Sequence, residues 1–272
     1  MRYKAFFCLF FLLFFPIFSA FGQFNPEELA ERENIEVFLK NAEIILFKEI
    51  GEGVTKPYKL TLRKNGEEME GCWKNPYGIQ KGHLEGWQYE IAAYRMDKLL
   101  NLNMIPPTVE REFQGKRGSL QFWVDTALSE LDRMENNINI PRYKLPHWNK
   151  MKYLTRAFDC LIANEDRTQQ NMRYTEDWRT LLIDHSRSFR SKRKYRKQLM
   201  YGKNGLKAIQ LFRILPRSFV QKVEELTFEN IRSAVGSTLS DEEIEALLER
   251  KELLLKEIQE MIKDKGKAKV LY

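Results

Sequence analysis

The chain has 272 residues and a net charge of +7 at neutral pH, from 45 lysines and arginines against 38 acids. That length suits one sizeable domain or two close-packed lobes. The mild basicity fits an anionic ligand or a membrane surface, and we expect no nucleic-acid partner. Three cysteines and three scattered histidines exclude a disulfide framework and show no metal-ligand spacing.

The first 22 residues predict a secretory signal peptide. Arg2 and Lys4 precede an apolar, Phe-rich run over residues 5–21, and small residues end at Gly22. We therefore expect an exported protein that is cleaved just before Gln23. The alternative is an uncleaved membrane anchor formed by residues 5–21, a run at the short end of the ~17–25 residues that span a bilayer.

The sequence up to residue 125 predicts a small, strand-rich lobe with one main helix. Its strongest local signal is Asn65-Gly66, which joins two alternating strands in "YKLTLRKNGEEMEGCWK". Apolar residues repeat at helical spacing through "EGWQYEIAAYRMDKLL", residues 85–100. The other predicted elements are a helix over 26–42, a strand in "AEIILFKEI" and a second hairpin, "TVEREF" and "SLQFWV", whose turn runs from Gly115 to Gly118.

The remaining sequence predicts a helical lobe. A helix over 147–163 precedes two short strands, "MRY" and "TLLI", and after a basic stretch we expect helices to the end. Ser240 and Glu243 form a capping box for the last long helix. We thus predict a signal peptide over 1–22, an N-terminal lobe over 23–125 and a C-terminal lobe over 126–272, with the boundary near Val124 to Thr126.

Polar groups at set spacing follow the buried helix of the second lobe. Asp166 lies in a loop in "NEDRTQQN", Asn171 opens the short hairpin, and Asp184 ends its second strand. Phosphoryl transfer needs an acid that orients the attacking hydroxyl, and amide and carboxylate oxygens that hold magnesium. Arg167 would counter the negative charge of this cluster. The alternative is a structural loop in which Asp166 pairs with Arg167 or caps a helix.

The first lobe offers groups that suit phosphates. Lys74 ends the second strand of a hairpin, and Glu90 on the following helix can face the sheet and pair with it. Gly51 and Gly53, between the first two strands, would let backbone amides approach a phosphate. An isolated strand lysine is usually solvated, so the glutamate strengthens the interpretation.

These signals occur in the order of a protein kinase: glycine loop, strand lysine, helix glutamate, D-x4-N and strand-end aspartate. "EIAAYRMDKLLNLNMIPPTVER" resembles secretory-pathway kinases of the Golgi casein kinase type. "NEDRTQQN" followed by "LLIDHSRSF" is similar to motifs of phosphatidylinositol kinases and HipA-like kinases. The resemblance covers roughly residues 44–260 and is most specific over 85–111 and 158–189. It implies an α+β, two-lobed protein-kinase-like fold.

The resemblance also implies roles for single residues. Lys74 would contact ATP phosphates and Glu90 would hold it, Asp166 would be the catalytic acid, Asn171 and Asp184 would bind Mg²⁺ or Mn²⁺, and Gly51 and Gly53 would line the nucleotide loop. The sequence departs from the family pattern at Thr168, which replaces a histidine, and at His185-Ser186, which replaces Asn-Gly or Phe-Gly.

The predicted function is that of an exported ATP-dependent kinase acting on a protein, sugar or lipid hydroxyl. The alternative is a pseudokinase, the same fold used as a binding or scaffold module, because a bacterial periplasm offers little ATP. The basic run from Arg187 to Gln198 occupies the place of a substrate loop. It predicts contact with an anionic substrate or lipid surface, or else is a solvated surface segment.

Overall fold

The computed structural model describes residues 24–51, 56–126, 128–202, 204–207 and 209–272. The predicted signal peptide and Gly53 lie outside these described residues. Across the described ranges, every helix is too short or too polar to cross a bilayer.

The first lobe is a five-stranded antiparallel sheet packed against helices. Its elements are α1 (Pro26–Ala30), α2 (Arg32–Asn41), β1 (Glu43–Glu49), β2 (Tyr58–Lys64), β3 (Glu67–Lys74), β4 (Tyr77–Gln80), β5 (His83–Gly86), α3 (Trp87–Leu100), β6 (Thr108–Phe113) and β7 (Lys116–Phe122). The order in the sheet is β1-β2-β3-β7-β6. Asn65 and Gly66 have positive φ, 53° and 85°, so they form the predicted turn between β2 and β3.

Three predicted elements of this lobe differ in the structure. The expected helix over 26–42 is interrupted at Glu31 and forms α1 and α2. Residues 77–86 form the hairpin of β4 and β5, because Lys81 and Gly82 take positive φ and allow a two-residue turn. The following helix therefore begins at Trp87, after Glu85. The turn of the second hairpin lies at Gln114-Gly115, which leaves Gly118 within β7.

The second lobe is mostly helical and carries a small sheet. Its elements are β8 (Leu128–Ser129), α4 (Glu130–Glu135), α5 (Leu145–Ile162), β9 (Met172–Tyr174), β10 (Thr180–Leu182), α6 (Arg193–Lys197), α7 (Arg217–Glu224), α8 (Phe228–Val235), a 3₁₀ turn (Gly236–Thr238), α9 (Asp241–Lys265) and α10 (Lys267–Val270). The predicted strands pair as β9 and β10, and β8 adds to β9. Helices were predicted after the basic run, but none forms in the described part of 198–216. Gly202, Gly205 and Pro216 disfavour helix in this stretch.

The longest helix, α9, fixes the segments that flank the polar loop. It begins with the predicted capping box, in which the Ser240 and Glu243 side chains each accept from the other's backbone N–H. Arg250 on this helix is fully buried and donates from Nε to the Leu161 carbonyl at 2.8 Å and from Nη1 to the Arg190 carbonyl at 2.7 Å. Burial lowers the pKa of this guanidinium to about 9.

Candidate active site

Lys74 meets two carboxylates from different elements. Its Nζ lies 3.3 Å from Glu90 Oε1 on α3 and 3.1 Å from Asp184 Oδ1, just after β10. Gly118 on the adjacent strand β7 allows this position because it has no side chain. A Cβ there would lie 2.5 Å from the Lys74 carbonyl oxygen, which is too close. The structure thus brings together three of the predicted site residues, and it joins the two lobes through them.

The charges in this cluster support one another. The Glu90 side chain is 3% exposed and that of Lys74 is 16% exposed. Burial by itself lowers the pKa of the Lys74 amine, but Asp184 and Glu90 raise it well above its ordinary value. Burial likewise acts to raise the pKa of Glu90, yet Lys74 and His185 hold it far below its usual range. Both groups are therefore charged at neutral pH.

Arg167 has a different partner from the one predicted. Its guanidinium donates to both oxygens of Asp159 on α5, each at 3.1 Å, and not to Asp166 or Asp184. The same side chain donates to the Asn171 carbonyl at 2.9 Å and to the Ile183 carbonyl at 3.0 Å. The expectation that Arg167 offsets the charge of the loop acids was wrong, because a fully buried Asp159 requires the arginine. Through these two bonds, Arg167 holds the polar loop against the end of β10.

Asp166 and Asn171 are oriented by the loop between them. Asn171 Nδ2 donates to the Asp166 carbonyl at 2.9 Å, which leaves the amide oxygen as its free coordinating atom. The Asp166 backbone N–H donates to Asn164 Oδ1 at 3.0 Å. The Asp166 carboxylate is 35% exposed, so a ligand can reach it.

Asp184 occupies an uncommon backbone conformation. Its φ is 60°, in the left-handed region that is uncommon for residues other than glycine, although asparagine, aspartate and histidine adopt it more often than the rest. Such strain persists where the surrounding structure imposes it, and it clusters at functional sites. It turns the carboxylate toward Lys74 directly after the strand.

His185 links the buried arginine to the helix glutamate. Arg167 Nη2 lies 2.8 Å from its Nε2, and since a guanidinium has only donors, Nε2 accepts and the neutral ring carries its proton on Nδ1. That Nδ1 lies 3.7 Å from Glu90 Oε2, which also accepts the His185 backbone N–H at 2.8 Å. Burial lowers the pKa of the ring. Thr168, which stands where a histidine was expected, is exposed.

Two charged residues beside Asp166 were missed as site residues. Glu85 was assigned to a helix and Arg187 to a basic run, yet Arg187 Nη2 lies 2.7 Å from Glu85 Oε1 and its Nη1 lies 3.1 Å from Asp166 Oδ2. The Lys81-Gly82 dipeptide was the available signal, because a tight turn there places Glu85 at the end of a strand, before α3.

A cleft of about 450 Å³ adjoins this cluster, within the range of small-molecule sites. Residues from both lobes line it, among them Gly51, Cys72, Lys74, Asn171 and Ile183. Burial raises the pKa of the Cys72 thiol to about 11, so this thiol is uncharged at neutral pH. Another cavity, of about 500 Å³, is lined by α2, α3 and α8 and contains none of the predicted site residues.

The donor set suits a hard divalent cation that is bound together with phosphates. In the described ranges, no three acidic, histidine or cysteine side chains form a metal-binding group by themselves. Magnesium, however, commonly uses one or two carboxylates and substrate phosphates, and keeps several waters. Asp184 and the amide oxygen of Asn171 are ligands of that kind, so these residues fit the implied Mg²⁺ or Mn²⁺.

The basic run divides into an inner and an outer part. Arg187 pairs with Glu85 and Asp166, and Arg190 is 5% exposed and lies 2.5 Å from Glu165. Tyr195 also bonds to Glu165 and is buried. The outer part consists of exposed cations in and next to α6: Lys192, Arg193, Lys194 and Lys197.

No family model and no curated protein matches the sequence. Solved structures match in fold: that of hydra Fam20 with sugar aligns at TM-score 0.67 and 16% identity over 89% of this chain and 92% of that chain. The Golgi casein kinase aligns at 0.63 and 16% over 91% and 78%. The Golgi casein kinase with Mn/ADP bound aligns at 0.64 and 16% over 93% and 80%. The chain therefore has a secretory-pathway kinase-like, two-lobed α+β fold, which confirms the predicted fold class.

Proposed function

We propose that the protein is an ATP-dependent kinase that transfers the γ-phosphate to an alcohol hydroxyl. The observation that carries this proposal is the ion-pair cluster of Lys74, Glu90 and Asp184 beside a two-lobed cleft. A buried, charged lysine at the wall of a cleft suits polyphosphate. Asp166, Asn171 and Asp184 then supply the remaining groups that phosphoryl transfer requires.

Each residue has a distinct part in this proposal. Lys74 binds the α- and β-phosphates and Glu90 keeps the amine in place. Asp166 accepts a hydrogen bond from the acceptor hydroxyl and orients it toward the γ-phosphate. Asn171 and Asp184 hold Mg²⁺ or Mn²⁺, which when bound neutralises charge on the phosphates. The Golgi casein kinase, a structure of similar fold, was solved with Mn/ADP bound, and this supports the choice of nucleotide and metal.

Calorimetric titration of the protein with ATP, with and without Mg²⁺, tests the proposal. We expect magnesium-dependent binding and a higher melting temperature, because a ligand that binds only the native state stabilises it. Lys74→Ala should weaken the affinity, and Asp184→Ala should remove its magnesium dependence. Arg63→Ala, an exposed strand cation paired with Glu68, is the matched control. Absence of binding in every metal condition would refute the proposed function.

A pseudokinase is the second candidate, and the pairing of Asp166 with Arg187 at 3.1 Å favours it. A carboxylate held by an arginine is less available to an acceptor. This candidate predicts that the protein binds Mg-ATP or no nucleotide and transfers no phosphate. An assay of transfer to mixed protein, sugar and lipid acceptors separates the two, since only a kinase labels any of them.

The acceptor and the location belong to the same proposal. The exposed cations near α6 favour an anionic acceptor or surface, so charge reversal at Lys192 and Lys194 should weaken binding to it.

We also propose export, on the basis of residues 1–22. Mass spectrometry of the mature protein should find Gln23 at the N-terminus, and a retained Met1 in a membrane fraction would favour anchoring by residues 5–21.

A further inference from the structure

Three charged groups from distant segments meet at the junction of the two lobes. Glu85 precedes α3 in the first lobe, Asp166 lies in the loop after α5, and Arg187 follows β10. Arg187 donates to Glu85 Oε1 from Nε at 2.9 Å and from Nη2 at 2.7 Å, and its Nη1 lies 3.1 Å from Asp166 Oδ2. One guanidinium therefore bridges the two lobes through two acids.

The main chain holds the same segments in register. The Gly86 N–H donates to the Ser186 carbonyl at 3.0 Å, and the Glu165 N–H donates to the Arg187 carbonyl at 3.1 Å. Each of these bonds involves a residue directly adjacent in sequence to one of the acids. The arginine thus reaches its two acids from a backbone that is already fixed to both segments.

The exposures show which end of the bridge is anchored. The Glu85 side chain is 3% exposed, that of Arg187 is 20% exposed and that of Asp166 is 35% exposed. Ser186 Oγ donates to the second Glu85 oxygen at 3.4 Å. Glu85 is therefore the buried end, and Asp166 is the end that an acceptor can reach.

We infer that Arg187 is a positioning residue for the proposed phosphoryl transfer: held by Glu85, it fixes the carboxylate of Asp166 toward the acceptor hydroxyl. This inference rests on the proposed function. Arg187 engages Oδ2, so Oδ1 serves the acceptor. Because Glu85 belongs to the first lobe, the orientation of Asp166 depends on the position of the hairpin of β4 and β5. An arginine suits this task because its planar fork holds two carboxylates in a set geometry.

The test compares Arg187→Ala and Arg187→Lys with the wild type. We expect Arg187→Ala to lower the kcat of phosphate transfer by about 10²-fold, the usual effect of misplacing a reacting group by an ångström. The Kd for Mg-ATP should stay within about threefold, because Arg187 acts on the acceptor side. Arg187→Lys should recover part of the rate, and added guanidinium should partly rescue Arg187→Ala, which a purely structural defect would not permit.

Arg179→Ala is the matched control. Arg179 is 25% exposed and also bridges two acids, Glu28 and Asp177, outside the site. We expect its loss to leave kcat and Mg-ATP affinity unchanged. A similar fall in kcat for both variants would overturn the inference, because it would assign the effect to general loss of an ion pair.

A double-mutant cycle with Glu85→Gln tests the anchoring. If Glu85 acts through Arg187, the double variant should be no slower than Arg187→Ala, and the two changes should also be non-additive in melting temperature. Additive losses in both quantities would overturn the anchoring role.

The outcomes also separate this inference from the proposed function. An active wild type whose Arg187→Ala variant transfers phosphate at an equal or higher rate would refute the inference and leave the kinase assignment standing; a higher rate would make Arg187 an inhibitory clamp. A wild type that neither binds Mg-ATP nor transfers phosphate would refute the proposed function itself.

Discussion

The site contains two arginine–aspartate pairs that differ in burial. The Arg167 and Asp159 side chains are 4% and 0% exposed, whereas those of Arg187 and Asp166 are 20% and 35% exposed. The enclosed arginine also donates to two carbonyls, at Asn171 and Ile183, and so holds backbone in place. The open pair lies at the junction of the two lobes, where Arg187 also reaches Glu85. The same two functional groups therefore serve as scaffold in one place and as candidate chemistry in the other, and burial distinguishes them.

The difference has an energetic side. A buried ion pair contributes little net stability relative to an apolar core, but removal of one partner strands a charge and costs several kcal/mol. The contact of Asp166 with Arg187 is more exposed and contributes ~0–1 kcal/mol, so loss of the Asp166 carboxylate hardly affects folding. Substitution of Asp159 should therefore lower stability, whereas substitution of Asp166 should lower activity.

The largest effect is expected at Asp166, in kinetics. Asp166→Asn keeps the size of the side chain and removes the base, so transfer should fall by about 10²–10⁴-fold. Mg-ATP affinity and melting temperature should remain near the wild-type values. Asp184→Asn, measured alongside, should instead weaken both metal-dependent binding and turnover. Equal losses of stability in both variants, with no selective loss of transfer, would mean that the loop is structural.

The next largest effect is expected at Asp159, in stability. Asp159→Asn leaves the Arg167 guanidinium buried without its countercharge, and the free energy of unfolding should fall by ~3–5 kcal/mol. Urea denaturation measures this directly. Arg179→Ala, which opens an exposed bridge, is expected to cost less than about 1 kcal/mol. Comparable losses for the two variants would remove the distinction by burial.

The smallest effect concerns a buried acid held by backbone groups. Asp97 is fully buried and accepts the Met104 N–H at 2.9 Å, and burial raises its pKa from 3.8 to about 7. Because the folded pKa lies above the unfolded one, its contribution to stability is complete below pH ~4 and is lost as the pH rises through about 7. The melting temperature of the wild type should thus fall, relative to that of Asp97→Asn, as the pH rises from 5 to 8.

The size of that change follows from the thermal scale, on which 1 kcal/mol shifts the melting temperature by about 2–4 °C in a protein of this class. A difference of a few degrees that grows with pH is the expected result. Parallel pH profiles for the two proteins would show that Asp97 is already ionised at pH 5.

Much of the fold followed from local sequence signals. Asn65-Gly66 predicted its hairpin, and Ser240 with Glu243 predicted the start of α9, because turn and cap chemistry act over a few residues. The spacing of Lys74 and Glu90 predicted a pair that the structure brings within 3.3 Å. The roles of Asp166, Asn171 and Asp184 remain predictions.

The missed features depend on long-range contacts. Arg167 was expected to offset the charge of the loop acids, but its partner, Asp159, is eight residues earlier on a buried helix face. Arg187 lies in a run of cations that resembles a solvated surface, and only its meeting with Glu85, 102 residues away, turns it inward. A charged residue at a core position, such as Asp159 next to Phe158, was the available sign that a buried arginine must exist.

Arg250 has a consequence for the order in which the chain folds during its synthesis. It supplies the donors for the Leu161 and Arg190 carbonyls, which flank the segment that contains Asp166 and Asp184. Synthesis runs from the N-terminus, and the first lobe has its own core, so that lobe can form early. The segment with Asp166 and Asp184, in contrast, has to wait until α9 emerges, because its buried carbonyls lack partners before then. A nascent chain halted before residue 250 should bind no Mg-ATP, however completely its first lobe has folded.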